Sequence, residues 1–247
     1  MRRLEIVWLY IALVLPDVVA QSPGVRDALA AMQSGDFPSA ERKLRGEVAA
    51  HPDDVSALSL LGVTLDNLDK VHEAAEFHRR AVAKAPRSID VLNNYAAHEW
   101  IARNEQEALN AYLRVLKLDP AHYNANLQLA RFALKRANAP DAIRYLDQLP
   151  AARRESPQAL LLRLEALYRG GDLAQGDQLT ARLSAMATTD AGLTFALVTA
   201  LSNARQYDKA EMFCENALKA YPANFNVLYD LGIVANYAGH FDRAREV

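Results

Sequence analysis

An all-α array of stacked helix–turn–helix units is the fold class this sequence predicts, and three observations predict it. Small residues recur at a step of 34: Ala40, Ala74, Ala108, Ala142, then Gly176, Ala210 and Ala244. Prolines keep the same step at Pro52, Pro86 and Pro120, and Pro222 falls three steps further on. Alanine is frequent and β-branched runs are few, which favours helix throughout. Two short helices cannot bury a core alone, whereas copies stacked side by side can.

Composition sets the bounds. The chain has 247 residues, 51% of them hydrophobic, which is ample for a core. Its 28 basic and 30 acidic side chains leave a net charge of −2. That balance gives no electrostatic reason to bind nucleic acid or an anionic membrane.

The N-terminus has its own logic. Arg2 and Arg3 precede an apolar run from Ile6 to Leu15, Pro16 breaks it, and Val18-Val19-Ala20 supplies small residues. This layout reads as a secretory signal peptide over residues 1–20, cleaved after Ala20. A membrane span needs about 20 apolar residues, and this run is shorter. The expected location is therefore exported, periplasmic or secreted, with no span beyond the signal.

From residue 21 the array divides without insertion into units 21–54, 55–88, 89–122, 123–156, 157–190, 191–224 and an incomplete 225–247. In Val55–Ser88, Leu58, Leu61, Gly62 and Leu65 make one apolar helical face, and Ala74, His78 and Ala81 make another. The eighth place is mostly small (Ala28, Gly62, Ala96, Ala130, Gly232) and the twentieth always is, so facing backbones can approach closely. Gly35, Gly171 and Gly239 suit a left-handed residue at the turn. Proline after the second helix stops it. The fifth unit departs: Leu164 stands where a small residue is expected, and Gly176 reads as its compensating partner.

This 34-residue pattern resembles the tetratricopeptide repeat, over residues 21 to 247. The resemblance implies a right-handed superhelical solenoid of about seven repeats, the last incomplete. It also implies a concave groove, lined by the first helices, that binds an extended peptide or a partner surface. The family's groove places are the second, fifth, ninth, twelfth and thirteenth of each unit. Here they hold Asp66, Asn67, Asp90, Asn93, Trp100, Asn124, Arg131, Lys135, Tyr168, Arg169, Asn203, Tyr229, Asn236 and Tyr237. Asn side chains donate and accept, which suits a peptide backbone, and the aromatic residues could anchor a partner's side chains. A carboxylate clamp of the chaperone-binding kind is not expected, because Val25, Leu29, Ser59 and Val63 occupy its places in the first two units.

Catalytic chemistry has little to stand on. The six histidines (His51, His72, His78, His98, His122, His240) include no pair four apart on one helix. His78 reads as a core-facing histidine, and His98-Glu99 lacks the second histidine of a zincin helix. There is no Gly-rich phosphate loop and no nucleophile elbow. Cys214 is alone and reads as a small buried residue. Arg79-Arg80 and Arg153-Arg154 read as solvated faces. No catalytic residue, cofactor, metal or small-molecule substrate is expected. The expected function is a non-enzymatic scaffold for a protein or peptide partner in the cell envelope. Two alternatives stand beside it: the repeat part of a larger enzyme, such as a glycosyltransferase fused to such repeats, and an envelope polysaccharide or secretion assembly component. The seventh unit stops 11 residues short of a full 34, so a fragment, or an end covered by a partner, is expected.

Overall fold

The computed structural model describes residues 22–187, 190–220 and 225–246. The signal-peptide segment lies outside the described residues. Among them there are fifteen helices and no strand. First helices of the units are α1 (Pro23–Gln33), α3 (Val55–Asn67), α5 (Ile89–Ile101), α7 (Tyr123–Lys135), α10 (Pro157–Arg169), α12 (Ala191–Asn203) and α14 (Phe225–Ala238). Second helices are α2 (Phe37–Ala50), α4 (Val71–Lys84), α6 (Glu105–Leu118), α8 (Ala139–Asp147), α11 (Leu173–Ala187), α13 (Tyr207–Ala220) and α15 (Phe241–Glu246). Every second helix begins at the seventeenth place of its unit, so the 34-residue register holds through the chain. Among the described residues, repeat 4 alone splits its second half. Pro150 ends the helical path after α8 and caps the short α9 (Ala151–Arg154).

Caps start the helices. Ser22, Asp36, Asp54, Ser88, Asn138, Ser156 and Asp190 each accept a hydrogen bond from the backbone N–H three residues on. The turns end them. The fifteenth place of every unit is left-handed: Gly35, Gly171 and Gly239 as expected, but also Asp69, Arg103, Ala137 and Arg205, with φ of 56–67°. The following residue's N–H reaches back to the eleventh place, as in Asn104 to Glu99 O and Asn138 to Ala133 O, both 2.8 Å. The turn geometry is thus imposed by the helix pair, and glycine only relieves it. Ala137→Gly removes a side chain from a conformation that costs about 1 kcal/mol for L-residues. A raised urea midpoint is the expected result.

The chain forms two compact units, residues 1–120 and 121–247. In the first, consecutive helices pack around Val25, Leu29, Leu44, Leu58, Leu61, Leu65 and Phe77. The alanines of the twentieth place, Ala40, Ala74 and Ala108, have no exposed surface. Arg80 Nη2 donates to Pro52 O at 2.8 Å, and Arg114 Nη2 repeats this one step on with Pro86 O at 3.1 Å. Arg80 is therefore a half-buried tie rather than a solvated side chain. In the second unit the core runs from Leu127, Leu134, Leu146 and Ala159 to Leu164, Leu183, Leu197, Leu201 and Leu231. Cys214 is buried there, and burial pushes its thiol up to about 12, followed by the charges of Asp230, Glu211 and Glu215. It stays a protonated, inert thiol. No helix among the described residues is long and apolar enough to cross a membrane.

Candidate functional site

In repeats 1, 2, 4 and 5 the twelfth place of the first helix and the twenty-fourth of the following helix come together inside the pair. In repeats 1 and 4 both are apolar and buried: Met32 with Leu44, and Leu134 with Leu146. In repeats 2 and 5 they are polar and hydrogen-bonded, and this corrects two expectations. Asp66 is not a groove residue. Its side chain is 4% exposed and accepts from His78 Nε2 at 2.9 Å and from His98 Nδ1 at 2.8 Å. Tyr168 is not a groove anchor either. It is 5% exposed, its hydroxyl donates to Asp177 Oδ1 at 2.7 Å, and it shares a 2.9 Å hydrogen bond with Thr180 Oγ1. Asn93 likewise is buried. In the first two the inward side chain meets a polar twenty-fourth place. His78 gains Asp66 as its acceptor, whereas Thr180, whose hydroxyl already donates to Gly176 O at 2.8 Å, offers Tyr168 a polar partner beside the space that Gly176 leaves.

The glycines follow the same logic. A Cβ on Gly176 would sit 2.7 Å from Tyr168 Cε1, so the ring that Gly176 accommodates is Tyr168, not Leu164. A Cβ on Gly62 would sit 2.7 Å from His78 Nε2. Asp66, His78 and His98 come from α3, α4 and α5, and the two rings stack with centroids 4.7 Å apart. Burial acts first on Asp66 and would raise its pKa, but the imidazole hydrogen bonds outweigh it and hold the carboxyl below its ordinary value. Burial also keeps His78 low, against the pull of Asp66. The spacing test for histidine pairs misses this group because its members sit on three helices. The paired departure at places twelve and twenty-four was the available signal.

The remaining groove candidates lie at the surface or partly so. In the first unit, Asn67 is exposed and donates to Val63 O at 2.8 Å, while Asp90 and Trp100 are half-buried. In the second unit, the ninth and thirteenth places form a polar stripe across α7, α10 and α12: Arg131 and Lys135, Glu165 and Arg169, Thr199 and Asn203. Arg169 Nη1 donates to Leu134 O at 2.6 Å and pairs with Glu165 Oε1 at 3.0 Å. Asn203 Nδ2 donates to Glu165 Oε2 at 3.4 Å. Glu165 is buried, and burial raises its carboxyl against the charge of Arg169, the hydrogen bond from Asn203 and the charge of Arg131. Sequence reasoning left Glu165 out, although it occupies the same ninth place as Arg131. Asn124 is half-buried at the start of α7. Asn236 is exposed on α14, Tyr229 is 60% exposed, and Tyr237 is 59% exposed and stacks on Tyr207.

Comparison with known proteins agrees with this architecture. Two tetratricopeptide repeat family models match, over residues 26–89 and 100–165. Together they cover just over half of the chain, which belongs to the tetratricopeptide repeat family. Among solved structures, a tetratricopeptide repeat protein from Parabacteroides merdae is 19% identical, with a TM-score of 0.72 over 90% of this chain and 88% of that one. PilW, described as a widely conserved type IV pilus biogenesis factor, is 19% identical with a TM-score of 0.70 over 85% of this chain and 96% of its own. Pseudomonas aeruginosa PilF is 20% identical with a TM-score of 0.66 over 83% and 93%. At these identities the likeness is one of fold.

Proposed function

We propose that this protein is a non-enzymatic scaffold that holds a peptide or protein partner along its first helices, with the stripe on α7, α10 and α12 as the principal contact in the second unit. One observation carries the reading. The ninth and thirteenth places of three successive first helices present Arg131, Lys135, Arg169, Thr199 and Asn203 at the surface, around the buried Glu165. Arg169 and Asn203 also tie neighbouring first helices, through Leu134 O and Glu165, and all five side chains reach the surface. They offer donors and positive charge to the backbone and acidic side chains of an extended segment. The layout of residues 1–20 supports export, so the partner is sought in the cell envelope, a setting in keeping with PilW being a type IV pilus biogenesis factor.

The test is site-specific photo-crosslinking in native cells. A photoreactive residue at Lys135 or Asn203 should give a discrete crosslinked species. One at Gln178, exposed on the second helix α11, should not. Equal crosslinking from Gln178, or none from Lys135 and Asn203, would remove the first-helix stripe from consideration.

A further inference from the structure

We propose that Asp66, His78 and His98 form a binding site for a single divalent transition-metal ion of the zinc type, joining repeats 2 and 3. One carboxylate oxygen and one nitrogen from each ring lie within 4.8 Å of one another. His78 Nε2 lies 2.9 Å from Asp66 Oδ2, and His98 Nδ1 lies 2.8 Å from the other carboxylate oxygen, Oδ1. Ligand atoms about 2.0–2.2 Å from one tetrahedral ion stand roughly 3.3 Å apart. The carboxylate need only open slightly from each ring, and the rings need only rotate toward each other. Gly62 leaves the flank of His78 Nε2 clear, where any side chain would intrude.

Burial points the same way. The side chains of Asp66, His78 and His98 are 4%, 1% and 1% exposed, and a carboxylate so enclosed calls for a counter-charge or a metal. On coordination each neutral ring carries its proton on the other nitrogen, Nδ1 of His78 and Nε2 of His98, so two N–H donors become two lone-pair donors. A ring that is charged beforehand releases one proton to solvent. Two imidazoles and a carboxylate select Zn(II), Co(II), Ni(II) or Cu(II) over Mg(II) and Ca(II). The bound ion would tie α3, α4 and α5 together, and the closed position of the ligands makes its uptake slow.

The chain itself supplies the control. The same three places elsewhere hold Leu134, Leu146 and Ala166, packed in one apolar cluster. The triple variant Asp66→Leu, His78→Leu, His98→Ala copies them at nearly unchanged volume. The experiment uses the full untagged chain, stripped with chelator and dialysed. Zn(II) is titrated by calorimetry and Co(II) by its visible absorption, both on folded protein and during refolding from denaturant. One equivalent per chain is expected, with a raised thermal midpoint and no response to Mg(II). Binding should weaken by about 100-fold or more in the triple variant and in the more conservative Asp66→Asn. Absence of stoichiometric uptake in both arms would show a purely hydrogen-bonded triad and overturn the proposal. So would uptake that survives unchanged in the variants.

Discussion

Asp66→Ala is expected to lower the unfolding free energy by about 3–5 kcal/mol, because it leaves two buried imidazoles without their shared acceptor. The triple variant Asp66→Leu, His78→Leu, His98→Ala should instead melt at or above the wild-type midpoint. It replaces a buried charged network by apolar side chains already packed at the same addresses in repeat 4. Urea titrations with chelator present measure both. A triple variant as weak as Asp66→Ala would show that repeat 2 needs polarity at this position for packing. Acid should separate the two chains as well. The folded pKa of His78 lies below its unfolded 6.5, so the unfolded chain binds more protons, and His78's contribution is complete above 6.5 and lost as pH falls below it. Asp66, lowered from 3.8, adds a second loss at still lower pH. The groups facing His78 are Asp66, His98 and Glu99. From about pH 7 to about pH 5 the wild type should therefore lose more stability than the triple variant.

Tyr168→Ala should cost about 3–5 kcal/mol in the second unit, the cost of emptying a buried aromatic site. Gly176→Leu should cost about 1–3 kcal/mol or more, by driving a side chain into the Tyr168 ring. Combined, the two should cost clearly less than their sum, since the leucine enters the space the ring vacated. A double-mutant cycle by urea titration reads the coupling. Additive costs would mean that Gly176 serves some neighbour other than Tyr168. This result also bears on partner assays: Tyr168→Ala, attractive as a groove variant from sequence, would report unfolding instead of binding.

The register was fully legible in the sequence, because stacking repeats the same requirement every 34 residues. Alanine at the twentieth place cannot be enlarged without separating two helices, so the signal survives in almost every unit. Turn positions were half legible. Glycine marked Gly35, Gly171 and Gly239, but Arg103 and Ala137 hold the same backbone without announcing it. The site was least legible. A place-by-place scheme cannot see what a twelfth-place side chain meets on the second helix. Asp66 turns inward to the buried imidazole of His78, and Tyr168 turns into the space that Gly176 leaves. His98 was hidden for a related reason, since its partner belongs to the preceding repeat.

That last relation constrains how the gene can change. Tandem repeats grow and shrink by unequal recombination, which removes or copies whole 34-residue segments. At Leu134, Leu146 and Ala166 such an exchange separates only apolar side chains and leaves no buried charge behind. At the junction of repeats 2 and 3 it leaves one: excising residues 89–122 alone removes His98 and leaves the Asp66 carboxylate with one imidazole. Removing residues 55–122 together, which takes out all three side chains, is therefore expected to leave less buried polarity unpaired than removing residues 89–122 alone.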